Sequence, residues 1–496
     1  MTTFAAVDLG AQSGRVAVGR FDGERLETTE VHRFANVPVT LGDTLHWDIL
    51  GLYREVLDGL RAAAALGAPV ASIGVDSWAI DFGLVDRAGR LLRNPVHYRD
   101  GRRARAMDGV LERISARELY DRTGIQLLPI NTIFELAAMA EEPDPALDAA
   151  ESILLIPDLV HSWLCGARSS ERTNASTTQC FDARTRGWAS DLVERLDVPA
   201  RLLPEVVEPG TRLGALAGSV ADETHLDGSE VVAVATHDTG SAVAAVPFRR
   251  PDSVFVSVGT WSLVGLEVDE PVITDASFAA NITNESGVDD TVRLLRNVTG
   301  LWLLHECRRA WADEGIDYAF DELVALTKEA PAFGALVDPN NAAFTEPGDM
   351  PARIRAFCTA TGQTPPADAG AIARCILESL ALKHAETIET LASVSGAEPT
   401  EIHVVGGGAR NELLCSWTAS ASGLPVLAGP DEATVLGNLL VQAMAAGEIS
   451  SLSDGREVVR ASVEPIVHEP DVTPEWDEAR ARFAAIVAGQ SLEVSA

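Results

Sequence analysis

The feature that most constrains the fold is a strand–turn–strand unit that occurs twice in the sequence. The first copy covers residues 4–21, where an apolar run ends in a Gly-containing polar turn that begins at Asp8. The second copy covers residues 253–265, which turn at Gly259 within the segment FVSVGTWSLVGLE (255–267). Each copy is predicted to form a β-hairpin. One unit in each half of the chain favours a duplicated fold with a ligand between the halves, although such units also recur by coincidence.

The length of the chain predicts two domains. It has 496 residues, of which 46% are hydrophobic, and single hydrophobic cores stop growing at roughly 250–300 residues. We place the boundary within PFRRPD, which gives an N-terminal domain of residues 1–247 and a C-terminal domain of residues 248–496. Strand and helix patterns alternate in both halves, and the predicted fold class is therefore α/β.

The chain is strongly acidic, with 73 Asp and Glu residues against 39 Lys and Arg residues and a formal net charge of −34. This charge repels nucleic acid and anionic membranes, and so neither is expected as a partner. No apolar stretch approaches the ~18 residues that a membrane-spanning helix needs, and the N-terminus does not resemble a signal peptide. A cytoplasmic protein is therefore expected.

The six cysteines have neither the spacing of a zinc site nor that of a secreted disulfide framework. They are expected to be reduced thiols, most of them buried. Cys358 and Cys375 could still meet in the fold.

Any phosphate site must be built without the usual P-loop, because the chain has only two lysines and neither adjoins a Gly-rich turn. The two hairpin tips instead offer backbone N–H groups and hydroxyls, which can bind phosphates as anion-binding concavities do. Asp8 in the first tip is predicted to hold Mg²⁺ through water, since Mg²⁺ keeps waters and takes few carboxylates. An ordinary hairpin turn is the alternative. The residues predicted to meet phosphate oxygens in this tip are Gly10, Ser13, Gly14 and Arg15.

A triple glycine, Gly406 to Gly408, follows a predicted strand at residues 402–405 and precedes a helix that starts at Asn411. Glycine allows a ligand to approach the backbone, and a helix N-terminus favours an anion or a polar ring. With the two hairpins, this segment is where an adenosine would lie. A structural turn is the alternative.

His237, Asp238 and Thr239 lie between an apolar strand at residues 231–235 and a predicted helix start. Ligands of α/β proteins gather at such strand ends. Asp238 could simply cap the helix. Against a hydroxyl substrate, however, a carboxylate here would accept the proton as phosphoryl transfer proceeds.

Trp78 lies close in sequence to Asp76 and Asp81, after another predicted strand. An aromatic face beside carboxylates suits a polyhydroxylated ligand with one apolar face, whereas core packing is the alternative for a tryptophan. Further amide and carboxyl groups, for which turn formation is the alternative, come from Asn281, Asn284, Glu285 and Asn297.

Two longer segments give contrasting signals. Asp368 precedes an amphipathic stretch that ends near Gly396, which predicts a helix with both start and stop signals. Residues 204–229 are read instead as a break between elements.

The assembled motifs resemble the FGGY carbohydrate kinases. The D-x-G and G-G-G elements are shared with all actin-like ATPases, whereas TNASTTQ and AANITNE are more particular. The segments that carry the resemblance are AAVDLGAQSGRV (5–16), SIGVDSWAIDF (72–82), TNASTTQ (173–179), VAVATHDTGSAV (232–243), SVGTWSL (257–263), AANITNESG (279–287), RNVTGLWLL (296–304) and IHVVGGGARNELL (402–414).

The resemblance implies two ribonuclease-H-like domains of the actin-like ATPase fold, with ATP and Mg²⁺ in a cleft between them. The sugar would bind mainly to the N-terminal domain, and Asp238 would be the base. Residues implied to contact ATP are Ala11, Gln12, Ser13, Gly14, Arg15, Thr260, His305 and Gly407. Residues expected to bind the sugar are Trp78, Ala79, Asp81, His237, Asp238, Thr239 and Asn297.

The same resemblance implies an enzyme that phosphorylates L-rhamnulose at its 1-hydroxyl with ATP, in L-rhamnose degradation, and leans towards a monomer. Two alternatives remain: a kinase for another ketose or deoxy-sugar such as L-fuculose or xylulose, and an actin-like ATP-driven switch protein without sugar chemistry. Three residues depart from the family pattern. Ala79 stands for Gly, His305 for Gln and Gln12 for Ser, and we expect the Ala79 methyl to reshape the sugar pocket.

Overall fold

The computed structural model describes residues 1–142 and 144–493. Its strands are β1 Thr2–Leu9, β2 Ser13–Phe21, β3 Leu26–Ala35, β4 Val39–Leu41, β5 Thr44–His46, β6 Ser72–Ser77, β7 Phe82–Val85, β8 Ser152–Leu155, β9 Ser169–Glu171, β10 Phe181–Asp182, β11 Gly187–Trp188, β12 Glu205–Val207, β13 Thr211–Ala215, β14 Glu230–Ala233, β15 Val254–Val258, β16 Trp261–Val268, β17 Thr283–Ser286, β18 Val292–Thr299, β19 Ile402–Val405, β20 Val426–Ala428 and β21 Ile466–His468.

Its helices are α1 Ile49–Ala64, α2 Arg102–Arg113, α3 Ala116–Thr123, α4 Thr132–Glu141, α5 Pro145–Ala149, α6 Ile156–Cys165, α7 Arg172–Ala175, α8 Ser190–Glu194, α9 Gly218–Thr224, α10 Asp238–Ala244, α11 Asp275–Ala279, α12 Trp302–Asp313, α13 Phe320–Glu329, α14 Met350–Ala360, α15 Ala369–Ser395, α16 Glu412–Ser422, α17 Ala433–Ala445, α18 Leu452–Ser462 and α19 Pro474–Glu493. Short 3₁₀ helices lie at Ser176–Thr178, Ala200–Leu202, Ala342–Phe344 and Gly407–Arg410.

The chain folds into two compact units that are not continuous in sequence. The first unit comprises Met1–Pro247, Glu267–Leu294 and Glu432–Glu464. The second comprises Phe248–Leu266, Leu295–Asp431 and the residues from Pro465 onwards. Each of the two domains predicted from the sequence is a continuous stretch of chain. Their boundary after Pro247 is also a boundary of the first unit, but the first unit additionally contains residues 267–294 and 432–464.

The main sheet of the first unit has the strand order β13-β14-β6-β1-β2-β3. Strands β1 and β2 form the predicted first hairpin, and β6 lies parallel to both β1 and β14. Strand β13 closes the other side as an antiparallel neighbour of β14. Seven of the eight residues of β1 are buried, as expected for a central strand between parallel and antiparallel neighbours.

The sheet of the second unit repeats this arrangement. From β18 onwards, its strand order is β18-β16-β15-β19-β20-β21. Strands β15 and β16 form the predicted second hairpin. Strand β19 is parallel to β15 and β20, and β21 is antiparallel to β20. In both sheets, a hairpin is followed by two parallel strands and then by an antiparallel edge strand. This shared order confirms the predicted internal duplication.

Helix α17 covers one face of the first sheet, where it packs on β1 and β6. The close fit depends on a glycine, since a Cβ added to Gly74 would lie 2.4 Å from Asn438 Oδ1. Helix α10 packs on α17 in turn, so closely that a Cβ at Gly437 would lie 1.8 Å from Ser241 O. The position of α10 is thus fixed by backbone contact with α17.

Several predicted elements are confirmed in detail. Helix α15 begins after Asp368, whose side chain caps Ala371 N, and ends at Gly396 in the left-handed conformation. Strand β19 is followed by the triple glycine and by helix α16, which Asn411 caps. The reading of residues 204–229 as a break was wrong. This segment contains β12, β13 and α9, which were missed because short strands interrupted by turns carry little periodicity.

All six cysteines are free, and five of them are buried, as predicted. Cys358 and Cys375 do meet: a hydrogen bond between the two thiols lowers the pKa of Cys358 and raises that of Cys375. Among the helices of the described residues, none combines the length and the apolar character needed to cross a membrane.

Candidate active site

Asp238 begins helix α10 directly after His237, on the segment that follows the end of β14 at Ala233. An isolated parallel bridge joins His237 to Ser77 at the end of β6, and Ser77 N donates to Thr236 O at 2.9 Å. Because β6 and β14 run parallel, their carboxyl ends lie side by side. Asp238 therefore stands at the kind of strand end where α/β proteins bind ligands.

The two carboxylate oxygens of Asp238 have different surroundings. Oδ1 accepts hydrogen bonds from Thr239 N at 2.5 Å and from Thr239 Oγ1 at 3.2 Å. No donor of the described residues bonds to Oδ2, and 32% of the side-chain surface is exposed. Desolvation raises the pKa of Asp238, and the charge of Asp8 adds to this rise while His237 opposes it. One oxygen is thus fixed and the other is available to accept a proton.

Two further carboxylates lie on the neighbouring strands. Asp8 and Asp76 are register partners on β1 and β6, so their side chains share one face of the sheet. Asp76 is completely buried, and its Oδ1 has no hydrogen-bond partner among the described residues. Burial raises the pKa of Asp76 well above its usual range, and the charges of Asp8 and Asp238 raise it further. The strand ends therefore bring together carboxyl groups that raise one another's pKa.

A buried polar chain from α17 holds Asp76 in place. Asn438 Nδ2 donates to Asp76 Oδ2 at 2.6 Å, and Gln442 Nε2 donates to Asn438 Oδ1 at 2.8 Å and to Ala5 O at 3.0 Å. Gln442 Oε1 completes the chain by accepting from Ser72 Oγ at 2.6 Å. Since every member is buried and bonded, the chain fixes both the Asn438 amide and the carboxylate that it contacts.

Arg15 pairs with the predicted metal ligand Asp8. Its Nε and Nη2 lie 2.8 Å and 2.7 Å from Asp8 Oδ2, and its Nη1 contacts Glu432 just before α17. Arg15 is thus held between two carboxylates. The predicted contact of Arg15 with phosphate would require the guanidinium to exchange one of these partners.

The tip of the first hairpin carries residues that are exposed to solvent. Gly10 N donates to Ser13 O at 3.0 Å, which closes the turn, and Gln12 and Ser13 are exposed while Ala11 is half-buried. A Cβ at Gly14 would lie 2.4 Å from the ring of Phe34. The turn therefore stays close to the sheet while Gln12 and Ser13 at its end are exposed, as a phosphate-binding tip needs.

The acidic site fits a magnesium ion that keeps its waters. In the described part of the chain, no three His, Cys, Asp or Glu side chains form a cage for a metal. Mg²⁺ does not need such a cage, because it is usually bound by one or two carboxylates together with waters and substrate phosphates. Asp8 and the buried, unpartnered Asp76 Oδ1 supply oxygen ligands of this kind.

An aromatic cluster adjoins the end of β6. The ring of Trp47 lies 4.1 Å from that of Trp78 and 4.0 Å from that of His97, between centroids. Asp81 Oδ2 accepts from Trp47 Nε1 at 2.6 Å and from Trp78 Nε1 at 3.0 Å. Arg103 Nη2 donates to Asp81 Oδ1 at 2.5 Å, and both of these side chains are almost completely enclosed. Asp81 therefore orients the tryptophans, and a contact between Asp81 and sugar would require these bonds to break.

The segment between Trp78 and Asp81 is strained. Ile80 has a φ of 68°, a left-handed conformation that costs a non-glycine residue about 1–2 kcal/mol. Thr132 Oγ1 holds the bend by donating to Ile80 O at 2.7 Å. The bend leaves Ala79 half-buried beside the buried Trp78. The predicted sugar-binding residues thus lie on a tightly fixed turn.

Glu171 holds the backbone that leads to Asp238. It is completely buried and accepts hydrogen bonds from Thr173 N at 2.7 Å and from Thr236 N and Oγ1 at 2.9 Å. Burial raises the pKa of Glu171 to about 7, against the opposing effect of these hydrogen bonds. This carboxylate links β9 to the residue two positions before Asp238.

The second unit carries the tip of the other hairpin. Thr260 O accepts from Gly300 N at 3.0 Å, and Gly259 N donates to Trp261 O at 2.8 Å. A Cβ at Gly300 would lie 2.5 Å from the Trp261 carbonyl carbon. The tip is therefore fixed against the start of α12, and Thr260 stays half-buried at its end.

The other predicted residues of the second unit lie on three elements. Gly407 begins a 3₁₀ helix after β19 and is exposed, and no described atom lies within 4 Å of a Cβ added to it. His305 lies in α12, where burial lowers its pKa. Asn297 is half-buried on β18. An open glycine surface at Gly407 suits the close approach of a flat ring.

The structure thus groups the predicted residues by unit. Those of the first unit are Asp8, Ala11, Gln12, Ser13, Gly14, Arg15, Trp78, Ala79, Asp81, His237, Asp238 and Thr239, and those of the second are Thr260, Asn297, His305 and Gly407. Sequence reasoning missed Trp47, Glu171, Arg293 and Asn438. Two of them lie close to segments that carry the resemblance, since Glu171 comes shortly before TNASTTQ and Arg293 shortly before RNVTGLWLL.

Two family models match the chain. The N-terminal domain model of the FGGY family of carbohydrate kinases matches residues 3–245, and the C-terminal domain model matches residues 254–446. Solved structures are similar over nearly the whole chain. They include xylulose kinase from Lactobacillus acidophilus (TM-score 0.81, 16% identity, 100% of this chain and 99% of that chain). Plasmodium falciparum glycerol kinase with ADP is another (TM-score 0.77, 15% identity, 99% and 98%). These likenesses establish the two-domain actin-like fold.

Curated relatives are more similar in sequence. A rhamnulokinase from Bacteroides thetaiotaomicron is 41% identical over 97% of this chain and 98% of its own length. A rhamnulokinase from Enterococcus faecalis is 40% identical over 93% of this chain and 92% of its own length. Together with the two matching domain models, these relatives establish that the chain belongs to the FGGY family of carbohydrate kinases.

Proposed function

We propose that the chain transfers the γ-phosphate of ATP to the 1-hydroxyl of L-rhamnulose, which yields L-rhamnulose 1-phosphate and ADP in L-rhamnose degradation. The observation that carries this proposal is the Asp238 carboxylate, with Oδ1 bonded to Thr239 and Oδ2 open. The choice of sugar is supported by relatives about 40% identical over more than 90% of this chain that carry the name rhamnulokinase.

In the proposed reaction, Asp238 Oδ2 accepts the proton of the 1-hydroxyl as its oxygen attacks the γ-phosphorus in line. The bond between the γ-phosphorus and the bridging oxygen breaks, and ADP leaves with the electron pair. The raised pKa of Asp238 brings the carboxylate closer to the working pH, which favours proton transfer. Positioning of the hydroxyl and stabilisation of phosphate charge supply most of the remaining rate.

We assign phosphate binding to the backbone amides of Ala11 to Arg15 in the first unit and of Thr260 in the second. Gly407 and His305 would contact the nucleotide, consistent with the open surface at Gly407. Asp8, with Asp76 beside it, would hold Mg²⁺ through water. When bound, the ion would offset negative charge on the phosphate oxygens.

We assign sugar binding to Trp78, Ala79, His237, Thr239 and Asn297. Asp81 supports this surface from behind, because it bonds to both indole N–H groups. The proposal retains the expected monomer in the cytoplasm.

The substitution Asp238→Asn tests the proposal. It keeps the shape of the side chain and removes the proton acceptor, and so we expect kcat to fall about 100- to 10,000-fold, the usual contribution of general-base catalysis. Asp275→Asn is the matched control, since Asp275 also lies in the first turn of a helix in the first unit and is highly exposed. Normal turnover by Asp238→Asn would remove Asp238 as the base.

A further inference from the structure

Arg293 on β18 reaches the histidine next to the proposed base. It is completely buried, and its Nη1 lies 3.0 Å from His237 Nδ1. The rest of the guanidinium is bound by backbone carbonyls, with Nε donating to Ser286 O at 3.0 Å and Nη2 donating to Thr173 O at 3.2 Å. The position of Arg293 is therefore set independently of His237.

The chemistry of arginine decides which nitrogen of His237 carries the proton. A guanidinium has five N–H donors and no acceptor. His237 Nδ1 must therefore accept the hydrogen bond from Arg293 Nη1, since an N–H on Nδ1 would face another N–H at 3.0 Å. The imidazole proton is left on Nε2.

Glu285 is the competing partner of the same nitrogen. Its Oε2 lies 3.4 Å from His237 Nδ1 and would favour a proton there, but it lies closer to Arg293 Nη1, at 3.2 Å. Glu285 makes no hydrogen bond through Oε2 in the described structure. Burial raises the pKa of Glu285, but the charge of Arg293 and the interaction with His237 outweigh it and leave the pKa lowered, so that the carboxylate balances the buried guanidinium. Arg293 at 3.0 Å is thus the better placed partner of Nδ1.

The other side of the ring faces the proposed base. His237 Nε2 lies 3.4 Å from Asp238 Oδ1, the oxygen that Thr239 already fixes. An N–H on Nε2 places a positive hydrogen on the side of the ring that faces this oxygen, although the contact is too long for a strong hydrogen bond, whereas a lone pair there would repel the oxygen. We infer that Arg293 is a positioning residue that holds His237 as the Nε2–H tautomer, so that the ring presents an N–H rather than a lone pair to Asp238 Oδ1 while Oδ2 stays open to accept the sugar proton.

This inference rests on the proposed role of Asp238, but its first test needs neither sugar nor ATP. The protein is labelled with ¹⁵N-histidine, and the two-bond ¹⁵N–¹H correlations of the ring identify the tautomer of each histidine. The signal of His237 is assigned by its loss in His237→Gln. The wild type is expected to show Nε2–H. An Nδ1–H tautomer or a doubly protonated ring would overturn the inference, even if the protein phosphorylates L-rhamnulose normally.

Variants of Arg293 connect the tautomer to turnover. Arg293→Met leaves Glu285 as the remaining neighbour of Nδ1, and so the proton is expected to move to Nδ1. In the same variant, kcat for L-rhamnulose should fall roughly 10- to 100-fold, the factor for losing a hydrogen bond to a charged group, while the KM for ATP is unchanged. Arg293→Lys keeps a cationic donor. Compared with Arg293→Met, it should therefore show a larger fraction of the Nε2–H tautomer and a higher kcat.

Arg122→Met is the control. Arg122 is also an arginine of the first unit that pairs with carboxylates, with its Nε 2.8 Å from Asp182 Oδ2 and its Nη2 3.0 Å from Asp191 Oδ1, and it contacts neither His237 nor α10 in the described structure. Arg122→Met should keep the His237 signal and kcat of the wild type. An Arg293→Met protein that folds, retains Nε2–H and keeps its kcat would contradict the inference. If that variant does not fold, the wild-type spectrum and Arg293→Lys still decide the tautomer.

Discussion

At the scale of residues, the candidate site is built from carboxylates in three different environments. Asp238 is partly exposed and open at one oxygen, whereas Asp76 is buried with one oxygen unpartnered and Glu171 is buried with several donors around it. Burial raises the pKa of each. Such differences in environment allow one carboxylate to act as a base while a neighbour binds a metal ion or holds the backbone in place.

Glu171 gives a prediction for the pH dependence of stability. Its pKa of about 7 in the folded protein lies above its ordinary value of 4.5. Protonation therefore favours the folded state, and Glu171 lowers the free energy of unfolding as the pH rises from about 4.5 to about 7. The total change is on the order of 3 kcal/mol. Above pH 7 the contribution levels off.

Glu171→Gln removes this titration, and so the variant should lose less stability than the wild type between pH 5 and 7. Urea unfolding at several pH values measures the difference. Glu205→Gln, at an exposed position on β12, should follow the wild-type curve. Parallel pH profiles for the wild type and Glu171→Gln would show that the Glu171 carboxylate does not titrate in this range.

The residues around the base show where sequence reasoning ends. Asp238 was found because it stands between a strand and a helix start, which is a local pattern. Arg293, Asn438 and Trp47 contact the site from distant parts of the chain, and no local pattern shows that these side chains reach it. The closeness of Asp81 to Trp78 in sequence predicts a sugar ligand, whereas the fold shows that Arg103 and two indoles occupy its carboxylate.

At the scale of elements, helix α10 carries the base, and its position depends on its contact with α17. Gly437 allows this contact, since a Cβ there would lie 1.8 Å from Ser241 O. Helices α10 and α17 must therefore separate if this glycine gains a methyl group.

Substitution of two helical glycines should have opposite effects. Gly437→Ala should lower the free energy of unfolding by about 1–3 kcal/mol through overpacking and lower kcat, because α10 and Asp238 shift together. Gly489→Ala in α19 meets no described atom within 4 Å, and alanine there should stabilise the protein by roughly 0.5–1 kcal/mol. Urea unfolding and a kinase assay measure both. A Gly437→Ala protein as stable and as active as the wild type would contradict this account of α10.

The elements themselves were predictable where their signals are local. Both hairpins, helix α15 with its Asp368 cap, and the strand–glycine–helix segment at Gly406 follow from turn, cap and periodicity patterns. Strands β12 and β13 are short, and their pairing with β9 and β14 is set by the fold rather than by their own sequence. The segments 267–294 and 432–464 join the first unit through non-local contacts that no local pattern reveals.

At the scale of the whole molecule, the duplicated sheets explain how one chain provides two hairpin tips of the same kind. In each unit, a hairpin is followed by parallel strands and closed by an antiparallel edge. Repetition of this unit was visible in the sequence, because the two tips share their strand–turn–strand pattern. Family membership follows from both domain models, and the choice of sugar is the more specific claim.

The most direct test of that claim is ADP release by the purified protein with Mg·ATP and a panel of L-rhamnulose, L-fuculose, L-xylulose, L-ribulose, D-xylulose, glycerol and no sugar. We predict that L-rhamnulose gives the highest kcat/KM, by about tenfold or more, because a pocket that bonds the hydroxyls of one sugar rejects analogues that leave its polar groups unpaired. A higher kcat/KM for another sugar would contradict the assigned substrate, and ADP release that does not depend on sugar would contradict the kinase reaction itself.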